Sequence, residues 1–335
     1  MKKPVYLFAG PLGSGKTTLI NHFLSFMAPE VALIENEFGD INIDQEILAP
    51  DEELIIELNN GCLCCSVRTD LIKGLRELLN RASEFNAVLI ESTGMADPGP
   101  VKQAFLVDPV LRENFELKSV ITIVDAVNFL KIYNADVEVD DEYRKTFISQ
   151  IVFADMFYFS KQDKLGEGLN SSMEKIREIL TELNSQAGII ERAPNKSEDI
   201  LEYKSFMSDD IAPDLHAHSH SHSHSKVSSI SISFSGVLLP SLLEMFLSTL
   251  FMRYRENLYR GKGILNFETQ PKKVIFQSVY DSYDFDLGSS WPSTADLPIE
   301  KRENQFVFIG KDLNLELIEK GLKQCLKSSS EGPPY

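Results

Sequence analysis

The nine residues Gly10-Pro11-Leu12-Gly13-Ser14-Gly15-Lys16-Thr17-Thr18 fit the pattern G-x-x-x-x-G-K-[ST] and leave the chain little freedom in how it folds. Such a loop needs a strand before it and a helix after it. Phosphate is then held by backbone N–H groups that glycine lets converge at a helix N-terminus. The flanks meet both demands: Val5–Ala9 is an apolar run, and Thr17–Phe26 carries apolar residues at helical spacing. Lys16 is expected to meet the β- and γ-phosphates and Thr17 to offer its hydroxyl to Mg²⁺. Gly10, Gly13, Ser14, Gly15 and Thr18 complete the cradle. A glycine-rich turn that merely starts a helix is the plain alternative. With glycine at about 7% of residues, a chance match to the full pattern is on the order of one in a hundred.

The first 190 residues continue the alternation. Strands are expected at Val5–Ala9, Val31–Glu35, Leu54–Leu58, Ala87–Glu91, Val120–Val124 and Met156–Phe159. Helical patterns fall at Thr17–Phe26, Asp70–Ala82 and Leu169–Leu183. This is the signature of an α/β fold, a mostly parallel sheet flanked by helices, whose ligands bind at the carboxyl ends of the strands. Residues 195–226 turn to Ser, Asp, Pro and His and read as a flexible linker. A smaller α+β domain is expected over 227–327, with strands at Ser228–Ser235, Gly263–Glu268, Lys273–Val279 and Gln305–Ile309 and helices at Pro240–Tyr254 and Leu313–Leu326. Residues 328–335 read as a tail.

Composition narrows the partners. The 335 residues carry 50 acidic against 33 basic side chains, a net charge of −17. Phosphate backbones and anionic lipid repel such a chain, so nucleic acid and membrane are poor partners, whereas cations are attracted. The longest apolar stretch, Gly236 to Met252, is broken by Pro240 and Glu244. It falls short of the roughly 18 residues of a spanning helix. The apolar run after Met1-Lys2-Lys3 is short for a signal peptide and leads straight into the phosphate loop, so the chain reads as cytoplasmic. Three of four cysteines, Cys62, Cys64 and Cys65, lie within four residues, too close for ordinary disulfides. Cys325 stands alone in the last helix and reads as a small core residue. His22, in the first helix, reads as structural.

Further candidates end on the same sheet edge. Ser160-Lys161-Gln162-Asp163 follows a strand; a carboxylate there can accept from guanine N1 and N2, although a polar turn explains four such residues equally well. Glu91-Ser92-Thr93-Gly94 offers a carboxylate for the surroundings of Mg²⁺ and, in Gly94, an amide for a γ-phosphate. Glu35, Glu37 and Asp40 add carboxylates after another strand. Gly61-Cys62-Leu63-Cys64-Cys65 presents three soft thiolates able to hold Zn²⁺ with a fourth position open. The bland alternative is three buried small hydrophobes. His216, His218, His220, His222 and His224 alternate with small residues and can bind zinc, nickel or cobalt weakly, or be a solvated linker.

Taken together, GPLGSGKTT, NEFG at 36–39, GCLCC at 61–65, ESTGMADP at 91–98, SKQD at 160–163 and the histidine run resemble the CobW-type metallochaperone GTPases. These are relatives of the urease and hydrogenase accessory GTPases in the SIMIBI class of P-loop proteins. Tyr259-Arg260-Gly261-Lys262-Gly263, Trp291 and Phe306-Val307-Phe308-Ile309-Gly310 resemble the CobW C-terminal domain. The resemblance implies a P-loop NTPase fold over 1–194 with a CobW-type second domain, and GTP binding with slow hydrolysis that uses Lys16, Thr17, Glu91 and Gly94. It implies zinc held by Cys62, Cys64 and Cys65, with Glu37 contributing, and delivery of that zinc to a client metalloprotein. A homo-oligomer stays possible. Ser160 stands where the family's guanine motif begins with Asn. Rival readings are a zinc buffer with incidental nucleotide binding, an insertase for cobalt or nickel, and a P-loop kinase for a small metabolite.

Overall fold

The computed structural model describes residues 2–27, 31–35, 54–57, 66–137, 140–166, 169–190, 227–294 and 296–327. The chain divides into two compact units, Met1–Phe206 and Met207–Tyr335.

The first unit is built on seven strands: β1 (Lys3–Ala9), β2 (Val31–Glu35), β3 (Leu54–Glu57), β4 (Ala87–Glu91), β5 (Phe115–Asp125), β6 (Met156–Ser160) and β7 (Gly188–Ile190). They form one sheet in the order β3-β2-β4-β1-β5-β6-β7, with every neighbouring pair parallel. The helices are α1 (Lys16–Met27), α2 (Ser66–Leu79), α3 (Pro98–Val107), α4 (Pro109–Asn114), α5 (Phe129–Tyr133), α6 (Asp141–Val152) and α7 (Leu169–Leu183).

Central strands of a parallel sheet are buried on both faces, which is why β1 reads as an unbroken apolar run. Its alternate residues go to opposite sides. Val5 and Leu7, with Ala32, Ile34, Val88 and Ile90, pack against Leu71, Leu75 and Leu78 of α2 and Val101 and Ala104 of α3. Tyr6 and Phe8, with Leu33, Leu89 and Ile121, pack against Leu19, Ile20, Phe23 and Leu24 of α1. After β1 the chain lays β2 to β4 on one side and β5 to β7 on the other. The loop leaving β1 therefore sits where the winding reverses, the place such sheets keep for a ligand.

The second unit is a five-stranded antiparallel sheet. Its strands are β8 (Val227–Ser235), β9 (Leu258–Leu265), β10 (Lys272–Val279), β11 (Ser282–Ser290) and β12 (Glu303–Lys311), in the order β11-β10-β9-β12-β8. Helices α8 (Pro240–Tyr254) and α9 (Leu315–Gln324) cover one face, burying Leu243, Leu247, Ile318 and Leu322 against Phe276, Phe306 and Phe308. Buried Cys325 belongs to this core, as its isolation in the sequence implied.

The structure corrects the expected element list. It adds β7 and β11, starts β9 at Leu258 rather than Gly263, and adds helices α3 to α6. Helix α3 opens on Pro98-Gly99-Pro100: Pro at N1 costs a helix nothing, and Asp97 caps it by accepting from the Gly99 N–H at 2.8 Å. Among the described residues no helix is long and apolar enough to cross a membrane.

A buried ion pair fastens α3 to the residue that precedes β6. Lys102 Nζ lies 2.9 and 3.1 Å from the two carboxylate oxygens of Asp155, and Asp155 also accepts from the Val120 N–H at 3.0 Å. Both side chains are under 10% exposed. Removing one partner strands a buried charge. Asp155→Ala is therefore expected to cost about 3–5 kcal/mol in urea unfolding, and Lys102→Met with Asp155→Leu much less, leaving mainly the orphaned Val120 N–H at about 1–3 kcal/mol. A double variant as unstable as the single one would contradict this account.

Candidate functional site

The loop between β1 and α1 curls around its own lysine. Lys16 is only 6% exposed, and its ammonium donates to the carbonyls of Gly10 at 3.0 Å and Pro11 at 3.1 Å. Burial lowers the Lys16 pKa below its ordinary value, with nearby Glu91 opposing that shift. Gly10 has φ +142°, and a Cβ there would stand 2.7 Å from the Ile123 carbonyl, so only glycine fits. Ser14 is fully buried, while Thr18 is exposed on the first turn of α1.

Two more segments close on this loop. Strand register sets Glu91 beside both Phe8 and Glu35 at the carboxyl edge. Thr17 Oγ1 donates to Glu91 Oε1 at 2.9 Å. The N–H and the hydroxyl of Ser92 both donate to the Phe8 carbonyl, at 3.0 and 2.9 Å. Gly94 then lies directly on the phosphate loop: a Cβ there would fall 2.4 Å from the Leu12 nitrogen and 2.6 Å from its Cα. From the other side the guanine-motif candidates reach the same loop. Ser160 Oγ donates to the Ser14 carbonyl at 2.6 Å and Lys161 Nζ to the Gly13 carbonyl at 2.6 Å. Ser160, which stands where the family motif has Asn, thus ties the end of β6 to two successive glycine-loop carbonyls together with its neighbour. Asp163 is exposed on the 3-10 turn Gln162–Lys164.

So Gly10, Gly13, Ser14, Gly15, Lys16, Thr17, Glu91, Gly94, Ser160 and Lys161 come together at one edge of the sheet. The candidate metal ligands Glu37, Cys62, Cys64, Cys65, His216, His218, His220, His222 and His224 lie outside the described residues. Among the described residues no group of three or more His, Cys, Asp or Glu forms a metal-binding cluster. His22 sits on α1 beside Phe23, ring centroids 6.5 Å apart.

The sequence reading missed Asp125, the last residue of β5. Its Oδ1 accepts from the N–H groups of Val127 and Asn128, and its Oδ2 accepts from Asn128 Nδ2 and, at 2.7 Å, from Lys161 Nζ. It therefore aims Lys161 at the phosphate loop. The available signal was a carboxylate at the end of a buried strand on the ligand edge. Burial alone would push the Asp125 carboxyl up, but the bonds from Lys161 and Asn128 outweigh it and hold the pKa below the ordinary 3.8. A depressed carboxyl contributes stability that is full above its unfolded value and lost as pH falls through the folded one. The stability difference between the wild type and Asp125→Asn is thus expected to stay constant from pH 7 to about pH 4 and to close below that. Urea melts across this range check it; a difference that already closes at pH 6 would contradict the assignment.

Comparison with known proteins agrees with this architecture. The family described as CobW/HypB/UreG, nucleotide-binding domain, matches residues 4–191, and the cobalamin synthesis protein cobW C-terminal domain matches residues 227–326. The chain is 31% identical over 327 residues to the zinc chaperone YjiA of Escherichia coli, covering 94% of this chain and 96% of that one. It is 31% identical over 356 residues to the zinc chaperone CobW of Pseudomonas aeruginosa, covering 97% and 92%. The crystal structure of Zn(II)-bound YjiA GTPase from E. coli superposes with a TM-score of 0.72 at 26% identity, covering 98% of this chain and 100% of that one. The chain is a P-loop GTPase belonging to the CobW/HypB/UreG family, and it carries that family's nucleotide-binding domain followed by a CobW C-terminal domain.

Proposed function

We propose that this GTPase is a zinc chaperone: it takes Zn²⁺ as cargo at Cys62, Cys64 and Cys65, with Glu37 contributing, and hands it to a client metalloprotein under control of GTP. The observation that carries the reading is the meeting of the loop after β1 and the loop after β4 at Leu12 and Gly94. In the chain the cysteines fall between β3 and α2, and β3 ends level with Glu35 and Glu91 on the same sheet edge. Relatives over nearly the whole chain are named zinc chaperones, which supports zinc over cobalt or nickel.

In the proposed reaction the Lys16 ammonium meets the β- and γ-phosphates, whose negative charge offsets the burial that lowers its pKa. The Gly94 N–H faces the γ-phosphate. Thr17 Oγ1 and the Glu91 carboxylate form a pair of hard oxygen donors of the kind Mg²⁺ prefers, and so fit the ion. When bound, Mg²⁺ neutralises charge that develops on the phosphate oxygens. Asp163 accepts from guanine, and Ser160 and Lys161 hold that strand to the phosphate loop. Loss of the γ-phosphate frees the Gly94 loop and changes the grip on zinc. By linkage, zinc and nucleotide then alter each other's affinity by the same factor.

Chelator competition tests this. Zinc affinity is measured with a GTP analogue and with GDP, on wild type, on Lys16→Ala and on the triple variant Cys62→Ser, Cys64→Ser, Cys65→Ser. The expected result is a tight site that vanishes in the triple variant and shifts about 5- to 150-fold between nucleotides in wild type only. Zinc affinity indifferent to nucleotide would make the protein a buffer. A tight site absent for zinc but present for cobalt or nickel would make it an insertase for those metals.

A further inference from the structure

We propose that Gln150, on α6, is a positioning residue for GTP hydrolysis: it fixes the peptide plane of the Gly94 loop, so that the loop answers to the γ-phosphate. This rests on the reading of Gly94 given above. Gln150 is 1% exposed and fixed at both ends. Its backbone carbonyl accepts from Thr122 Oγ1 of β5 at 2.7 Å, which sets where α6 lies along that strand. Its side-chain Nε2 donates to the carbonyls of Gly94 and Ala96, both at 3.2 Å. An amide turned the other way would set its oxygen against two carbonyl oxygens, so the orientation is unambiguous.

Neighbouring contacts act in the same direction. Ser149, one residue before Gln150, donates its hydroxyl to the carboxylate of Asp97, which closes the loop and caps α3. Gln150 also lines a small cleft with Pro11 of the phosphate loop and with Phe129 and Phe147. The loop from Ser92 to Asp97 is thereby held by the phosphate loop on one side and by α6 on the other. A peptide group is planar, so fixing the Gly94 carbonyl fixes the Met95 N–H on the opposite side of the same plane. It also limits how Gly94 can turn its own N–H toward phosphate. Among the described residues the buried Oε1 of Gln150 has no hydrogen-bond partner, and the side chain is tied to the loop through its donor. The predicted consequence is specific. Gln150 matters where the γ-phosphate is sensed, and little for nucleoside diphosphate held by the loop after β1.

The test compares wild type, Gln150→Met, which keeps the length and removes the donor, and Ser149→Ala, a half-exposed site where folding is not at risk. GTP turnover is measured together with affinities for GDP and a GTP analogue. Gln150→Met is expected to lower kcat about tenfold and to weaken the GTP analogue severalfold, leaving GDP affinity within about twofold. Ser149→Ala is expected to act in the same direction by about threefold. Should Gln150→Met fail to fold, Ser149→Ala decides alone. Equal losses for GDP and GTP analogue, or unchanged turnover in the folded variants, would overturn the proposal. Hydrogen exchange of residues 93–97 in wild type, with GDP and with GTP analogue, tests the underlying reading separately. If those amides ignore the nucleotide, Gly94 is not the sensor and the proposal falls with it. If they respond while the variants behave as wild type, only the role of Gln150 is lost.

Discussion

The absence of a side chain at Gly94 is the constraint on which the rest of the nucleotide edge depends. A Cβ would have to occupy space held by the Leu12 backbone, so two loops that leave different strands touch main chain to main chain. Main-chain contact is stiff, because neither partner has a rotamer through which to yield. A shift of either loop must pass to the other. The Ser92 bonds to Phe8 and the Gln150 bonds to Gly94 and Ala96 then set how far that shift can travel. Helix α3, capped by Asp97 and pinned by the Lys102–Asp155 pair, forms the fixed end of the lever.

Charge has to be managed locally in a chain of net charge −17 that binds polyanionic nucleotide. Repulsion from distant carboxylates is screened beyond about 8 Å at physiological salt, so the groups within one or two contacts of the phosphates decide the outcome. Those groups are Lys16, the amides at the start of α1, and Lys161, which Asp125 holds across the edge at 2.7 Å. The Lys16 ammonium donates to two carbonyls of its own loop, which ties its charge to the backbone that curls around it.

The sequence was legible where chemistry restricts the backbone. Six of the seven strands of the first sheet showed as short apolar runs, because strands buried on both faces admit little else. The phosphate loop showed because positive φ at Gly10 and Gly15, and the Ile123 carbonyl against Gly10, leave few residue choices. What escaped was long-range or disguised. Asp125 meets Lys161 across 36 positions and Gln150 meets Gly94 across 56, and no local pattern encodes such partners. Helix α6 opens with charged Asp141, Glu142, Arg144 and Lys145, so its buried stripe is confined to its second half. Strand β11 alternates Asp284 and Asp286 with Phe285 and Leu287, and two acidic residues at that spacing resemble a loop.

That same strand has a consequence for how the protein lives in a crowded solution. β11 is one of the two rims of the second sheet, a nine-residue row of backbone groups that could recruit a foreign strand. Asp284 and Asp286 stand along this rim, and any like strand approaching in pairing register would bring its own carboxylates against them. Edge-to-edge pairing is thus discouraged along β11 by repulsion of like charge.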